Sequence, residues 1–152
     1  MKFPYRHYRT GPSPTVPSGV LHRPEVPLRI IGATGALSMW TLVDAGSDET
    51  LLPLSVGQMI GATMNAAQTW QVEGIGGQAV SVILGEVVLE LTDGSQTYRW
   101  PAKIGLVDFA NPQDEIALVG HAGCLDYFRM TFDGHLRSLE IEASPAFPGQ
   151  VL

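Results

Sequence analysis

The sequence contains a single cysteine, few basic residues and no long apolar run. Because Cys124 has no second cysteine to pair with, an internal disulfide is excluded, and a reducing cytoplasm is expected. Fifteen acidic against nine basic residues give a net charge of −6, so nucleic acid is not an expected partner. The apolar stretches are too short for a membrane span, and residues 1–19 lack the apolar region of a secretory signal. We therefore expect a cytoplasmic protein without a membrane partner.

The chain of 152 residues is long enough for one domain with its own core. Residues 1–19 contain four prolines, and the basic residues among them precede the first acid, Glu25. Proline-rich segments favour extended backbone, so we expect an arm outside the core. The predicted organisation is an arm at 1–19, one domain at 20–143 and a tail at 144–152.

Short alternating segments predict an all-β fold. The stretch VPLRII places Val26, Leu28 and Ile30 on one face and Arg29 on the other. Further strands are predicted in ALSMWTLV, TLLPL and IALVG, with a terminal hairpin formed by YFRMTF and LRSLEIE. Asp-Gly pairs in TDGS and FDGH predict hairpin turns. Helix is limited to one or two turns in LSVGQMIGA and a short helix in HAGCLDYF. Many strands and little helix indicate a closed or folded-over β barrel.

The longest predicted hairpin has a glycine cluster at its centre. In QTWQVEGIGGQAVSVILGEVVLELTDG, two β-rich arms flank Gly74, Gly76 and Gly77. Gly85 interrupts the apolar face of the second arm, which predicts a bend or a bulge there. A glycine-rich tip on two long arms is also what a mobile lid needs.

An aspartate follows the predicted buried strand in TLVDAGSDETLLP. Most such aspartates are turn residues. Two features distinguish Asp44: Gly46 lets the backbone turn sharply and leaves an N–H open to the carboxylate, and the glycine-rich hairpin lies downstream.

Three segments, in order, resemble the retropepsin-like aspartic proteases, the single-domain family of retroviral proteases and bacterial relatives. LVDAGSDETLLP is similar to the active-site loop, VEGIGG to the tip of the flap that covers the substrate, and ALVGHAGCLDYF to the closing strand and helix. The resemblance covers about residues 26–142 at the level of element order. It implies a retropepsin-like barrel with one short helix after the strand Leu118-Val119-Gly120.

The resemblance implies an aspartic endopeptidase, which needs two adjacent carboxylates that share one proton. One carboxylate takes a proton from water while the other donates to the scissile carbonyl oxygen. Asp93 and Asp133 belong to predicted hairpin turns, so only Asp44 fits the catalytic position. The second aspartate is then expected from another copy of the chain, in a two-fold homodimer that acts on a peptide or protein. No cofactor is expected.

The resemblance also assigns roles to the neighbours of Asp44. The Gly46 N–H is expected to hold the Asp44 carboxylate. A Ser47 hydroxyl donated to that carboxylate would favour its charged form and a more acidic working range. Asp48 is either a substrate-backbone contact or a solvated loop acid. The flap residues expected over the substrate are Glu73, Gly74, Ile75, Gly76 and Gly77, acting through backbone N–H groups.

Ala45 departs from the family pattern, which has threonine or serine between the aspartate and the glycine. That hydroxyl bonds to the opposite loop across the dimer axis, and alanine cannot replace it. Losing a buried hydrogen bond costs on the order of 1 kcal/mol. Ala45 therefore favours an alternative, a weak or inactive module that binds peptides or dimerises. A half-domain that pairs with a different chain is a third possibility, since one sequence does not establish self-association.

Other residue patterns predict no competing chemistry. The four histidines, His7, His22, His121 and His135, lack metal-ligand spacing with Cys124, so no metal site is expected. Cys124 lies in an apolar stretch and is predicted to be core. The three tryptophans are expected to pack, although Trp70 on the flap arm also suits a pocket wall.

Overall fold

A computed structural model describes residues 1–73, 79–109, 111 and 115–152. These residues are mostly in strands, which confirms the all-β prediction. The elements are β1 (Lys2–Pro4), β2 (Arg6–Arg9), β3 (Val20–Arg23), β4 (Glu25–Ile31), β5 (Ala36–Val43), β6 (Leu51–Pro53), α1 (Leu54–Ile60), β7 (Thr63–Glu73), β8 (Ala79–Thr92), β9 (Thr97–Val107), β10 (Leu118–Val119), a 3₁₀ helix (Leu125–Tyr127), β11 (Phe128–Asp133), β12 (Ser138–Ala143) and β13 (Gln150–Val151).

The main sheet closes on itself. Its strand order is β13-β9-β6-β10-β5-β4-β8-β7, and β8 also pairs with β9 along its length. Six strands therefore form a ring, with β7 and β13 attached outside it. The ring is mixed: β10 runs parallel to β5 and antiparallel to β6, while β6 runs parallel to β9. The closed barrel predicted from the strand pattern is present.

Alternation along β4 places its side chains as the sequence predicts. Val26, Leu28 and Ile30 are at most 2% exposed, because every second residue of the strand faces the interior. Arg29 faces outward and forms an ion pair with Glu90 on the neighbouring β8 at 3.2 Å. The strand thus separates the core from solvent, and it supports β5, which ends at Asp44.

The long hairpin is formed by β7 and β8, which pair from Thr63 with Glu86 to Glu73 with Ala79. Its tip, where the glycine cluster lies, falls outside the described residues. The predicted irregularity at Gly85 is instead on the partner strand, where the register shifts between Asn65 and Thr69. Gly85 serves close packing, since a Cβ there would lie 2.7 Å from Leu106 Cδ1.

The N-terminal residues differ from the predicted arm at Phe3. Strand β1 pairs with β12, opposite Leu139, and the Phe3 side chain is only 7% exposed within the core. Burial of an aromatic ring is strongly favourable, and it holds this part of the N-terminal segment against the core. The prediction of an arm wholly outside the core is therefore wrong here. Strands β2 and β3 form a separate two-stranded sheet. The predicted domain boundaries stay a prediction.

The remaining local predictions agree with the structure. TDGS joins β8 to β9, FDGH spans the end of β11 and the start of the turn after it, and β11 pairs with β12 as the terminal hairpin. The helix predicted in LSVGQMIGA is α1, and it ends at Gly61 with φ of 68°, where glycine is favoured. The short helix predicted after Leu118-Val119-Gly120 is the 3₁₀ helix. Within the described ranges, no helix has the length and apolar character to cross a membrane.

Candidate active site

Asp44 is held at the end of a buried strand. Strand β5 runs between β4 and β10, and its last residue, Val43, is 4% exposed. The ladder with β10 extends to Asp44, whose N–H donates to the Val119 carbonyl at 3.1 Å. A turn follows at once, because the Ser47 N–H donates to the Asp44 carbonyl at 3.2 Å. The carboxylate therefore sits half-buried at a fixed strand end, as the sequence predicted.

The backbone after Asp44 returns to its carboxylate. The Gly46 N–H donates to Asp44 Oδ1 at 2.9 Å, which confirms the contact predicted for Gly46. A Cβ at position 46 would lie only 3.3 Å from the same oxygen, so glycine keeps the approach open. One oxygen of Asp44 is thus oriented by the chain's own backbone.

The predicted bond from Ser47 to the Asp44 carboxylate is wrong. The Ser47 hydroxyl donates instead to the Glu49 carbonyl at 2.8 Å. A hydroxyl has one proton, and the turn brings the carbonyl two residues ahead within reach. The inference of a more acidic working range therefore loses its basis.

The active-site loop, residues 44–50, packs directly on the segment 120–122. The His121 N–H donates to the Ser47 carbonyl at 2.9 Å, and the Ala122 N–H donates to the Asp48 carbonyl at 2.8 Å. A Cβ at Gly120 would lie 2.2 Å from the Glu49 carbonyl oxygen, so only glycine allows this approach. The loop is fixed by backbone contacts from this segment.

The imidazole of His121 bridges two parts of the site. Its Nδ1 lies 3.0 Å from Asp126 Oδ1, and its Nε2 lies 3.3 Å from the Ala45 carbonyl oxygen. The hydrogen bond to Asp126 raises the pKa of His121 above its ordinary value, although desolvation opposes the rise. The Ala45 carbonyl and the negative charge of Asp48 act in the same direction as Asp126. Sequence reasoning considered His121 only as a metal ligand and missed this contact.

A cleft of about 710 Å³ opens beside Asp44, between the active-site loop and the arms of the β7–β8 hairpin. Its described walls combine acids with apolar side chains. They are Asp44, Gly46, Ser47, Asp48, Glu49, Leu51, Trp70, Gln71, Val72, Glu73, Val80, Val107, Phe109, Ile116 and Leu118. The Trp70 indole N–H donates to Glu49 Oε2 at 2.8 Å, which places Trp70 on the wall as its position on the flap arm suggested. The cleft thus places acidic side chains beside apolar ones.

Most of the predicted site residues meet at this cleft. Asp44, Gly46, Ser47, Asp48 and Glu73 line it, whereas Ala45 is exposed and is not among the lining residues. The flap residues Gly74, Ile75, Gly76 and Gly77 lie outside the described residues. Glu49, Phe109 and Ile116 also line the cleft, and the sequence did not predict them. Phe109 and Ile116 lie far from Asp44 along the chain, and Glu49 is an ordinary loop acid by its residue type.

Competing centres are not seen in the described part of the chain. No group of three or more His, Cys, Asp or Glu side chains there is placed to hold a metal ion. Cys124 is 4% exposed, and burial raises the pKa of its thiol to about 12, so it is a poor nucleophile.

Comparison with protein-family models and with curated proteins gave no match. Among solved structures, the chain is similar to the EIAV protease complexed with the inhibitor HBY-793, with a TM-score of 0.45 and 17% sequence identity. The alignment covers 65% of this chain and 82% of that chain. The chemistry of the site therefore rests on its own geometry.

Proposed function

We propose that the protein is an aspartic endopeptidase whose site forms between the Asp44 carboxylates of two copies of the chain. The observation that carries the proposal is the geometry of Asp44. Its carboxylate ends a buried strand, is oriented by the Gly46 N–H at 2.9 Å and lines a cleft of about 710 Å³. A cleft of this size suits a peptide segment, and an oriented carboxylate suits proton transfer.

In the proposed reaction, two Asp44 side chains share one proton, because two carboxyl groups at such a short distance cannot both be ionised. The ionised carboxylate takes a proton from a water molecule, whose oxygen adds to the scissile carbonyl carbon. The protonated carboxyl donates to the carbonyl oxygen. When the carbon–nitrogen bond breaks, the proton taken from water passes to the leaving amine, and one hydroxyl of the intermediate returns its proton to the carboxylate that had donated, so the pair again shares one proton.

The aspartates of the two Asp-Gly turns support this choice of residue. Asp93 Oδ1 accepts bonds from the Ser95 N–H, the Ser95 hydroxyl and the Gln96 N–H, and the Ser95 hydroxyl bond is the main cause that lowers its pKa. Asp133 Oδ1 accepts the Leu136 N–H at 2.7 Å. Both carboxylates are occupied in stabilising turns, so a second copy of Asp44 is the economical source of the second carboxylate.

The proposed enzyme is a homodimer of the cytoplasm that takes peptide or protein substrates. The cytoplasmic placement rests on a single cysteine that is buried. In the dimer, Asp48 and Glu73 would contact the substrate, since both line the cleft.

The test is the variant Asp44→Asn, with Asp93→Asn as its matched control. Asparagine keeps the size and the acceptor oxygen but cannot take the proton. We expect Asp44→Asn to abolish cleavage of a peptide library with unchanged folding, while Asp93→Asn still cleaves. Cleavage that survives in purified Asp44→Asn protein would refute the aspartic mechanism.

A second measurement tests the shared site. Activity should fall more steeply than linearly on dilution, because each site needs two chains. A linear dependence across the dilution range in which sedimentation shows dimers becoming monomers would contradict a shared site.

The second candidate function is a module that binds peptides or dimerises without cleaving them. Ala45 favours it, since this position lacks the hydroxyl that the resemblance predicts. Peptide binding by the unchanged chain, with no cleavage in either the unchanged or the Asp44→Asn form, would select this function.

A further inference from the structure

His121 lies between two groups that can only accept hydrogen bonds. Asp126 Oδ1 is 3.0 Å from Nδ1, and the Ala45 carbonyl oxygen is 3.3 Å from Nε2. A neutral imidazole has one N–H, whereas the imidazolium has two. With Asp126 as a carboxylate, both contacts can therefore be hydrogen bonds together only when the ring is doubly protonated.

The contact at Ala45 acts on the same peptide group that orients Asp44. The Ala45 carbonyl and the Gly46 N–H belong to one planar peptide unit. His121 holds its oxygen end, and Asp44 Oδ1 holds its hydrogen end at 2.9 Å. Rotation of that plane would move the N–H away from the carboxylate.

We propose that His121 is a positioning residue that, when doubly protonated, fixes the Ala45–Gly46 peptide plane and so the Asp44 carboxylate, and that frees the plane when it loses a proton. The effect on cleavage rests on the proposed function, whereas the contact with the peptide plane does not.

The order in which the two contacts are lost follows from acceptor strength. A carboxylate is a stronger acceptor than a peptide carbonyl, so the neutral ring keeps its proton on Nδ1 toward Asp126. Nε2 then presents a lone pair to the Ala45 oxygen, and that contact becomes repulsive. The Ala45–Gly46 peptide plane, not the 3₁₀ helix, is released.

The surrounding charges set the pH at which this happens. The acids that act on the ring are Asp126 from its own segment and Asp48 from the active-site loop. Both favour the charged ring, and the pKa of His121 is raised by them and by the Ala45 carbonyl. The peptide plane is thus held at a pH below the ordinary histidine pKa of about 6.5. It is released as the pH rises through the higher pKa that His121 has in the folded protein.

The experiment follows the Gly46 amide and the His121 ring nitrogens by NMR as pH is raised. It uses full-length Asp44→Asn protein, so that the Asp44 carboxylate contributes no titration. We expect the Gly46 amide shift to titrate with the same midpoint as the His121 ring, at a pH above the ordinary histidine value. A Gly46 amide that is unchanged while His121 titrates would overturn the proposal.

Three variants sharpen the result. His121→Arg keeps two donors at every pH, so the Gly46 titration should disappear. Asp126→Asn removes the carboxylate and should lower the shared midpoint. His135→Gln, in the exposed turn after β11, is the matched control and should leave the Gly46 titration unchanged. A Gly46 titration that persists in His121→Arg, or a midpoint unmoved by Asp126→Asn, would also overturn the proposal.

Failure of this inference is distinguishable from failure of the proposed function. If the chain cleaves no peptide but Gly46 titrates with His121, the inference stands and the proposed function fails. If the chain cleaves through Asp44 but Gly46 does not follow His121, the inference fails alone.

Discussion

The substitution Gly120→Ala tests the packing that holds the active-site loop. The added Cβ would lie 2.2 Å from the Glu49 carbonyl oxygen and 2.6 Å from the Ser47 carbonyl oxygen, both rigid backbone atoms. Ordinary contact begins at 3.4 Å, so the two segments must separate by about 1.2 Å. Such a shift lengthens the bonds from the His121 N–H to Ser47 at 2.9 Å and from the Ala122 N–H to Asp48 at 2.8 Å.

The expected loss of unfolding free energy is the sum of the steric overlap and the two weakened hydrogen bonds. Overpacking costs about 1–3 kcal/mol, and each weakened hydrogen bond adds up to about 0.5–1.5 kcal/mol. We expect Gly120→Ala to lose about 3 kcal/mol or more of unfolding free energy. At roughly 2–4 °C per kcal/mol for a chain of this size, the melting temperature should fall by about 6–12 °C.

Calorimetry of the variant and a matched control measures this effect. Gly134→Ala is the control, because a Cβ there meets nothing within 4 Å and Gly134 is exposed. The control should stay within about 0.5 kcal/mol of the unchanged chain. If Gly120→Ala melts as high as Gly134→Ala, the contact between loop 44–50 and segment 120–122 does not have the geometry described.

Three further predictions concern single side chains. Ala45→Thr should strengthen the proposed dimer several-fold to about tenfold or more by restoring a hydroxyl worth about 0.5–1.5 kcal/mol at each end. Equal dimer constants by sedimentation would contradict this. Trp70→Phe should lower the unfolding free energy in urea by about 0.5–1.5 kcal/mol, because it removes the 2.8 Å bond to Glu49, and an unchanged midpoint would argue against that bond. Burial raises the pKa of Cys124 to about 12, so its thiol should be alkylated at pH 8 at least about a hundredfold more slowly in folded than in urea-unfolded protein. Equal rates would mean that the thiol is not buried.

Local patterns in the sequence were sufficient for most of the fold. The alternation in β4 and the Asp-Gly turns depend on residues within a few positions of one another, so the sequence contains the whole signal. The strand before Asp44 and the turn at Gly46 also depend only on residues close together in the sequence. Their geometry therefore appears as predicted, with the Gly46 N–H 2.9 Å from Asp44 Oδ1.

Predictions failed where a contact depended on geometry that the sequence pattern does not specify. The Ser47 hydroxyl had a carboxylate three residues before it and a carbonyl two residues after it, and the turn geometry gave it the carbonyl at 2.8 Å. Phe3 is buried because β1 pairs with β12, more than 130 residues away along the chain. The sequence pattern encodes neither choice, since the first depends on the detailed geometry of the turn and the second on how distant segments meet.

The contact between His121 and Ala45 changes how Ala45 is interpreted. From the sequence, alanine at this position is only a loss, because a hydroxyl that would bond across the dimer axis is missing. In the structure, the backbone carbonyl oxygen of the same residue lies 3.3 Å from Nε2 of His121 in its own chain, 76 positions away. The missing hydroxyl would weaken the proposed dimer without freeing the Asp44 loop, because His121 and the segment 120–122 hold that loop in a single chain. Association and loop order are therefore separable properties here, and a weakly associating chain can still carry a correctly oriented Asp44.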